Sequence, residues 1–416
     1  MLFPACLGQT TVPYAEKSWE SASLGDYSGL AVADIDGDGE LEILVMGSNN
    51  IINIYSADGF TLKSNITIPS SGGYFSPVYD TICVAQVDDD AALEIISRSR
   101  TINGGFKVID SVTKSVEWDC PGDMDHIAVA DLDADGKAEL IVGGNAIEVF
   151  DADTQTSKGV SDNITYWGNL SYIAMFRDIE VGDVIAGGNK EIVALVDEFT
   201  ENGRLFILDS QTLEIKLNIS IPGSVQCLEL ADIDGDGNIE IIVGDGGVTL
   251  GTLSYHGHIR IYDSAGTLKW GSEDLGEMIT AIKVADIDDD GKLEMVTASD
   301  RIKILDASNK SLIWSSANLI SVGDDDCLVL ADIDGDGTLD ILTRTSTYSA
   351  GNRALVYKVN GVVAPDDTPS DGETDETEDQ IADDSGSFLE NNMMILVAII
   401  VIIAIVVASV FFMKKR

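Results

Sequence analysis

Histidine is almost missing from this chain of 416 residues: His126, His256 and His258 are the only three. General acid–base chemistry near neutral pH draws on imidazole more than on any other side chain, so little of it is within reach. His256 and His258 flank a glycine in what reads as a surface loop ahead of a strand. Cysteine is sparse too. Its five residues (Cys6, Cys83, Cys120, Cys227, Cys327) are irregularly spaced and give neither a zinc pattern nor an even disulfide framework. Basic residues number 25 against 71 acidic ones, a net charge of −46. A phosphate backbone would be repelled by such a surface, so no nucleic acid is expected as partner. No glycine-rich phosphate loop, nucleophile–base pair or long amphipathic helical stretch stands out. The chain is not expected to be an enzyme.

What the chain has in quantity is one phrase. LADIDGDGNIEIIV runs from Leu230 to Val243, and near-copies begin at Val32, Val129, Val284 and Leu330. Two eroded copies begin at Val84 and Val181. The first acidic positions fall at Asp34, Gln86, Asp131, Asp183, Asp232, Asp286 and Asp332, separated by 52, 45, 52, 49, 54 and 46 residues. Seven near-equal periods of this length predict an all-β seven-bladed propeller or a similar closed array.

Each repeat reads as four antiparallel strands. The first alternates and ends in a small residue (Ala33, Ala85, Ala130, Gly182, Ala231, Ala285, Ala331), as inner strands crowding toward an axis require. The second follows the acidic loop, the third ends near an acidic turn, and the fourth carries Trp118, Trp270 or Trp314 in the clearest copies. Trp19 has the setting of a fourth strand without the other three before it. It is expected to complete the last blade and close the ring, hiding both open sheet edges. Five residues before each loop stand Gly29, Thr81, His126, Asp178, Cys227, Ala281 and Cys327, at one mouth of such a channel. Convergence of His126, Asp178, Cys227 and Cys327 on a soft metal is one reading; separately satisfied strand residues are the simpler one.

The loops carry the chemistry. In Asp232-Ile-Asp234-Gly-Asp236-Gly237-Asn238-Ile-Glu240 the carboxylates at positions 1, 3 and 5 of a tight turn converge. Glycine at position 6 permits the bend and a further acid arrives at position 9. An all-oxygen cage with several carboxylates suits Ca²⁺ better than Mg²⁺. Position 12 is Val243, so the bidentate glutamate of an EF-hand is missing, and strands replace its helices. Five loops are complete. They are Asp34, Asp36, Asp38 and Glu42; Asp131, Asp133, Asp135 and Glu139; Asp232, Asp234, Asp236 and Glu240; Asp286, Asp288, Asp290 and Glu294; and Asp332, Asp334, Asp336 and Asp340. About five Ca²⁺ sites are expected. The second loop has Gln86 at position 1 and Ala91 at position 6, which leaves it doubtful. The fourth has Ile185 and Gly187 in place of ligands and is expected to stay empty. The apolar residues between ligands, such as Ile35, Leu132, Ile233, Ile287 and Ile333, should pack beneath their loops.

The ends differ in kind. Residues 1–12 read as a residual signal-like segment, apolar but without a basic start, and 13–363 as the propeller. Residues 364–391 are expected to form a disordered acidic stalk, with eleven acids from Asp366 through Glu390 and almost nothing to bury. Residues 392–413 are expected to form a transmembrane helix. Met393–Phe412 runs twenty residues without a charge, long enough at about 1.5 Å per residue to cross a bilayer core. Residues 414–416, Lys-Lys-Arg, would be a cytoplasmic stub and place the propeller outside the cell. Sequons at Asn65, Asn163, Asn169, Asn218 and Asn309 agree with an extracellular glycoprotein.

The five intact loops resemble the FG-GAP and related VCBS-type repeats, the family that includes the integrin α-subunit head. The resemblance covers about Trp19 to Val363 and implies a seven-bladed propeller with Ca²⁺ in its DxDxDGxxD loops. The phrase after the loop strand reads VMGSN, VGGN or VGDG, with no Gly-Ala-Pro, and no integrin leg domains follow. Microbial cell-surface proteins of this repeat type fit better. Stretches such as IYDSAGTLKW also resemble the outer strands of quinoprotein propellers. The expected role is a membrane-anchored, single-pass type I module for cell adhesion or ligand binding, with an extracellular protein or glycan as partner. The alternatives are a quinoprotein-like or polysaccharide-acting enzyme and a structural component of the cell envelope.

Overall fold

The second strand of each repeat opens on an acid and a short apolar run, as in EILV, ELIV, EIVA or EIIV, rather than on a strict alternation. A strand reads this way when both of its faces are packed, and the computed structural model of the chain shows the reason. It describes residues 14–25, 29–47, 50–69, 79–99, 105–122, 124–164, 175–198, 202–249, 254–319, 327–345 and 352–360. The expected leader, stalk, membrane helix and basic stub lie outside these residues, and Val363 ends the first of two compact units. No helix among the described residues is long and apolar enough to cross a membrane.

Seven four-stranded antiparallel sheets follow one another. In the first, Leu30–Ala33, Glu42–Gly47, Ile51–Ser56 and Leu62–Thr67 pair in chain order. The next five repeat that order, starting at Tyr79, His126, Met175, Val225 and Ala281. Second strands such as Glu42–Gly47, Glu139–Gly143 and Glu191–Asp197 are buried along their whole length. Each sheet packs its faces on its two neighbours, so hydrophobic clusters such as that of Ile52, Ile54, Ile82 and Ile95 span adjacent blades. Inner strands touch in cyclic order, and Leu30–Ala33 meets Leu328–Ala331, which closes the ring.

The closure is the one expected from Trp19. The last sheet contains Leu328–Ala331, Asp340–Thr345 and Arg353–Val359, and its outer strand is Ala15–Glu20 from the other end of the domain. Ala15 pairs with Val359 and Glu20 with Leu355. Beyond the strand, Ser21 N donates to Ala354 O at 2.9 Å and Leu24 N to Asn352 O at 2.8 Å. Trp19 stacks on Phe60 at 5.1 Å and meets Tyr55 edge-on at 5.2 Å, both in the first blade. Trp118 and Trp314 repeat the contact onto Phe150 and Tyr357 of their following blades.

One regularity was not visible in advance. In all seven blades the outer strand carries a β-bulge opposite the end of the third strand, between Ile54 and Tyr55 in the first and Ile304 and Leu305 in the sixth. The extra residue of each bulge is Lys63, Glu117, Lys158, Lys216, Lys269, Ile313 and, in the closing strand, Ser18. The bulge re-aims that side chain, and in four blades it is aimed at the acidic loop.

Candidate metal centres

Each acidic loop joins the inner strand of its blade to the second strand, so all of them lie on one face of the ring. They touch one another: Ala138 N donates to Gln86 O at 2.9 Å, and Leu339 N to Ile287 O at 2.9 Å. Within a loop, the position-1 aspartate organises the turn. Asp34 accepts from Gly37 N at 2.8 Å, Asp38 N at 3.1 Å and Gly39 N at 2.9 Å. Asp131, Asp232, Asp286 and Asp332 likewise accept from the position-6 amide, at 3.1, 2.9, 2.9 and 3.0 Å. The position-6 glycine takes a left-handed φ, +90° at Gly39 and +88° at Gly237, which is why glycine stands there. The position-5 aspartate spends one oxygen on the amide two residues on, as Asp236 Oδ1 does for Asn238 N at 2.8 Å. Ile35, Leu132, Ile233, Ile287 and Ile333 are buried beneath, as expected.

A further acid stands at position 9 of each loop. Glu42, Glu94, Glu139, Glu191, Glu240, Glu294 and Asp340 are all buried. One oxygen accepts from the position-2 amide in the first six blades: 3.0 Å at Ile35, 3.0 Å at Val87, 2.7 Å at Leu132, 3.0 Å at Val184, 3.2 Å at Ile233 and 3.1 Å at Ile287. In the first and third blades this acid also brings an oxygen close to the aspartates of the turn. Carboxylate oxygens of Asp34, Asp36 and Glu42 lie within 4.8 Å of one another, as do those of Asp131, Asp133 and Glu139. Asp232, Asp234 and Asp236 form such a group, and so do Asp286, Asp288 and Asp290. All-oxygen donor sets of this charge and size fit Ca²⁺. Asp332, Asp334, Asp336 and Asp340 stand at the matching positions of the seventh blade, where Asp340 is buried with Oδ1 unpartnered.

The bulge lysines were missed in the sequence: only Lys269 stands directly before an outer-strand Trp, while Lys63, Lys158 and Lys216 precede Ser64, Gly159 and Leu217. Lys63 Nζ reaches Glu42 Oε1 at 2.6 Å and Asp36 Oδ2 at 2.9 Å. Lys158 bridges Glu139 at 2.8 Å and Asp133 at 2.7 Å, and Lys269 meets Glu240 at 3.1 Å. In the fourth blade Lys216 meets Glu191 at 3.0 Å and Asp209 at 2.9 Å, while the other oxygen of Glu191 takes two backbone amides. Both oxygens of that acid have partners, in the blade whose loop has Ile185 and Gly187 at ligand positions. In the seventh blade Lys358 of the third strand pairs with Asp334 and Asp336 instead.

Where no ammonium meets the position-9 acid, its proton is held more tightly. Burial pushes Glu94 and Glu294 up to about 7, and neighbouring aspartates add to it. Burial also pushes Asp340 up to about 6. In the sixth blade Tyr14, just ahead of the closing strand, donates its hydroxyl to Asp288 at 2.9 Å. Its own proton is held above the ordinary range, first by burial and then by that bond.

The channel-mouth residues part company. His126 Nε2 lies 3.6 Å from Asp178 Oδ1, and Asp178 Oδ2 accepts from Leu228 N at 2.8 Å. Cys227 instead packs with Ile279 and Ile282, and Cys327 with Ala281 and Leu328. The two thiols belong to separate apolar clusters. His258 lies 3.1 Å from Asp245, whose carboxylate also meets Arg260.

No protein-family model matches the sequence, and no curated protein matches it. Solved structures do. BBS1N, solved in complex with ARL6DN, superposes with a TM-score of 0.59 over 83% of this chain and 97% of its own, at 13% identity. A second crystal of that complex gives 0.58 at 14% identity. The V. cholerae biofilm matrix protein Bap1 gives 0.51, over 80% of this chain and 77% of its own, at 14% identity. The fold is a seven-bladed β-propeller. At these identities the likeness extends to the fold alone.

Proposed function

We propose that this propeller is a calcium-stabilised binding module of FG-GAP/VCBS type, held at a cell surface by the apolar segment 392–413 and engaging a protein or glycan in adhesion. The observation that carries the reading is the repeated buried acid at position 9 beneath convergent aspartates. Burying a carboxylate is costly unless a cation or hydrogen bonds compensate, and the five complete loops invest in it each time. Ca²⁺ would be held by the aspartates at positions 1, 3 and 5 and the acid at position 9. It would supply the charge that the turn lacks, tying the first and second strands of a blade together. In the first, third and fifth blades the cation competes with the bulge lysine for the same oxygens. The sixth blade, which has no such lysine, should bind more tightly. Propellers present loops around a ring, a geometry used for ligands of many kinds. BBS1N supports the reading as a propeller solved with a protein partner.

The test displays the full chain on cells and measures binding to immobilised protein and glycan panels, in calcium and in chelator. Binding that needs calcium is expected. Equal binding in both conditions, or no binding to either panel, would overturn the reading.

A further inference from the structure

The second blade breaks the loop pattern in three places at once, and the changes fit together. Position 1 is Gln86, not aspartate. Its Nε2 donates to Asp90 O at 2.8 Å and Ala92 O at 2.9 Å, while its Oε1 accepts from Asp88 N at 3.1 Å. The amide therefore shapes the turn from within, as aspartate does elsewhere, but brings no charge. It also occupies the position-7 carbonyl that a cation would use in the other loops. Position 6 is Ala91, and neither Asp89 nor Ala91 has a positive φ. The turn takes a course without the left-handed pair seen at Gly37 and Gly39.

The third change lies in another strand. The bulge residue that is lysine in four sister blades is Glu117 here. Its carboxylate comes within 4.8 Å of those of Asp88 and Asp90. Beneath them Glu94 is fully buried, with Oε2 on Val87 N and Oε1 without any hydrogen-bond partner. The charges that bear on Glu94 are Asp88, Asp90 and Glu117, where the matching Glu42 faces Lys63. Among the described residues, Lys137 pairs with Asp89 and Asp153, and Lys107 with Asp119. A buried, unpartnered carboxylate oxygen costs more than an ordinary lost hydrogen bond, and a lysine at the bulge would have removed that cost, as it does in the blades on either side of the pattern. A divalent cation among these carboxylates would supply the charge that lysine supplies in the sister blades.

We infer that the second blade holds a sixth divalent-cation site, with Asp88, Asp90, Glu94 and Glu117 as its carboxylate ligands. Glu117 replaces the ligand lost at Gln86, so the site sits toward the outer strand and ties that strand to the loop. Four carboxylates and no cationic side chain select a hard divalent cation, and Ca²⁺ tolerates ligands drawn from separate strands better than Mg²⁺ does. This inference shares its metal with the proposal for the five complete loops, but it stands on Glu94 and Glu117 and can fail alone.

The experiment counts bound calcium on the full-length chain in detergent micelles, by equilibrium dialysis against CaCl2 and elemental analysis. The variants are Glu117→Lys, Glu117→Gln and, as a reference in the fifth blade, Asp232→Asn. Glu117→Lys should lose one equivalent and melt higher than the parent in chelator, because lysine is the residue that sister blades already carry there. Glu117→Gln should lose the same equivalent without that rise. Unchanged stoichiometry in both Glu117 variants, with one equivalent lost in Asp232→Asn, would overturn this site and leave the other five. Loss in the Glu117 variants alone would support this site against the fifth loop. No bound calcium in the folded parent would overturn both.

Discussion

At the scale of single residues, the position-9 acid divides the blades into two kinds. Where a bulge lysine meets it, the loop carries its own counter-charge; where none does, a buried carboxylate waits for one. Lys63→Met should therefore leave Glu42 buried and half-satisfied, at a cost of about 1–3 kcal/mol. The loss should appear in denaturant unfolding in chelator and be recovered in saturating calcium, because the cation no longer has a competitor. The acids without lysine predict a pH dependence. Glu94 and Glu294 sit near 7 in the fold, against an ordinary value near 4.3 in the unfolded chain. Between those limits the folded state binds more protons, so stability falls as pH rises. In chelator, Tm should drop as pH goes from about 4.5 to about 7, and Glu294→Gln should flatten part of that drop. A Tm that rises through this window in chelator would contradict the assignment. The aspartate ligands were legible in the sequence because their spacing is strict. Glu117 was not, since it reaches the loop from an outer strand 23 residues beyond Glu94.

At the scale of elements, four strands per repeat and the borrowed closing strand were readable from alternation, small residues and the place of Trp19. The bulge was not, because one extra residue in a strand leaves no mark in composition. The short hairpin of Gly247–Thr249 with Ser254–His256 was also missed, its strands being too short to show a period. The closing strand predicts its own test. Trp19→Ala removes the stack on Phe60 and the edge contact with Tyr55, and should cost about 2–3 kcal/mol. It should also expose the edge of Arg353–Val359 to pairing with other chains. Size-exclusion chromatography after mild heating should show more self-association than for the parent. Trp118→Ala, an equivalent loss inside an unbroken blade, should destabilise without that association.

At the scale of the whole molecule, the ring turns seven weak local devices into one cooperative structure. Its blades are packed through shared hydrophobic clusters, and its loops touch around one face. Charge works against it: a chain of net −46 repels itself, and the loops gather part of that charge on one face of the ring. Calcium bound only by the folded ring stabilises it by mass action, about 2.7 kcal/mol per site at a hundredfold excess over Kd. The propeller itself was legible from the period of the repeat; what it binds was not, because no residue pattern here encodes a partner. The central claim is that the acidic loops are cation sites that hold the ring together. A calorimetric calcium titration of the full-length chain, with melting curves at each stage, tests it most directly. About five equivalents from the complete loops, with one more from the second blade and a large rise in Tm, are predicted. A folded ring that takes up no calcium, and melts at the same temperature with and without it, would contradict the account.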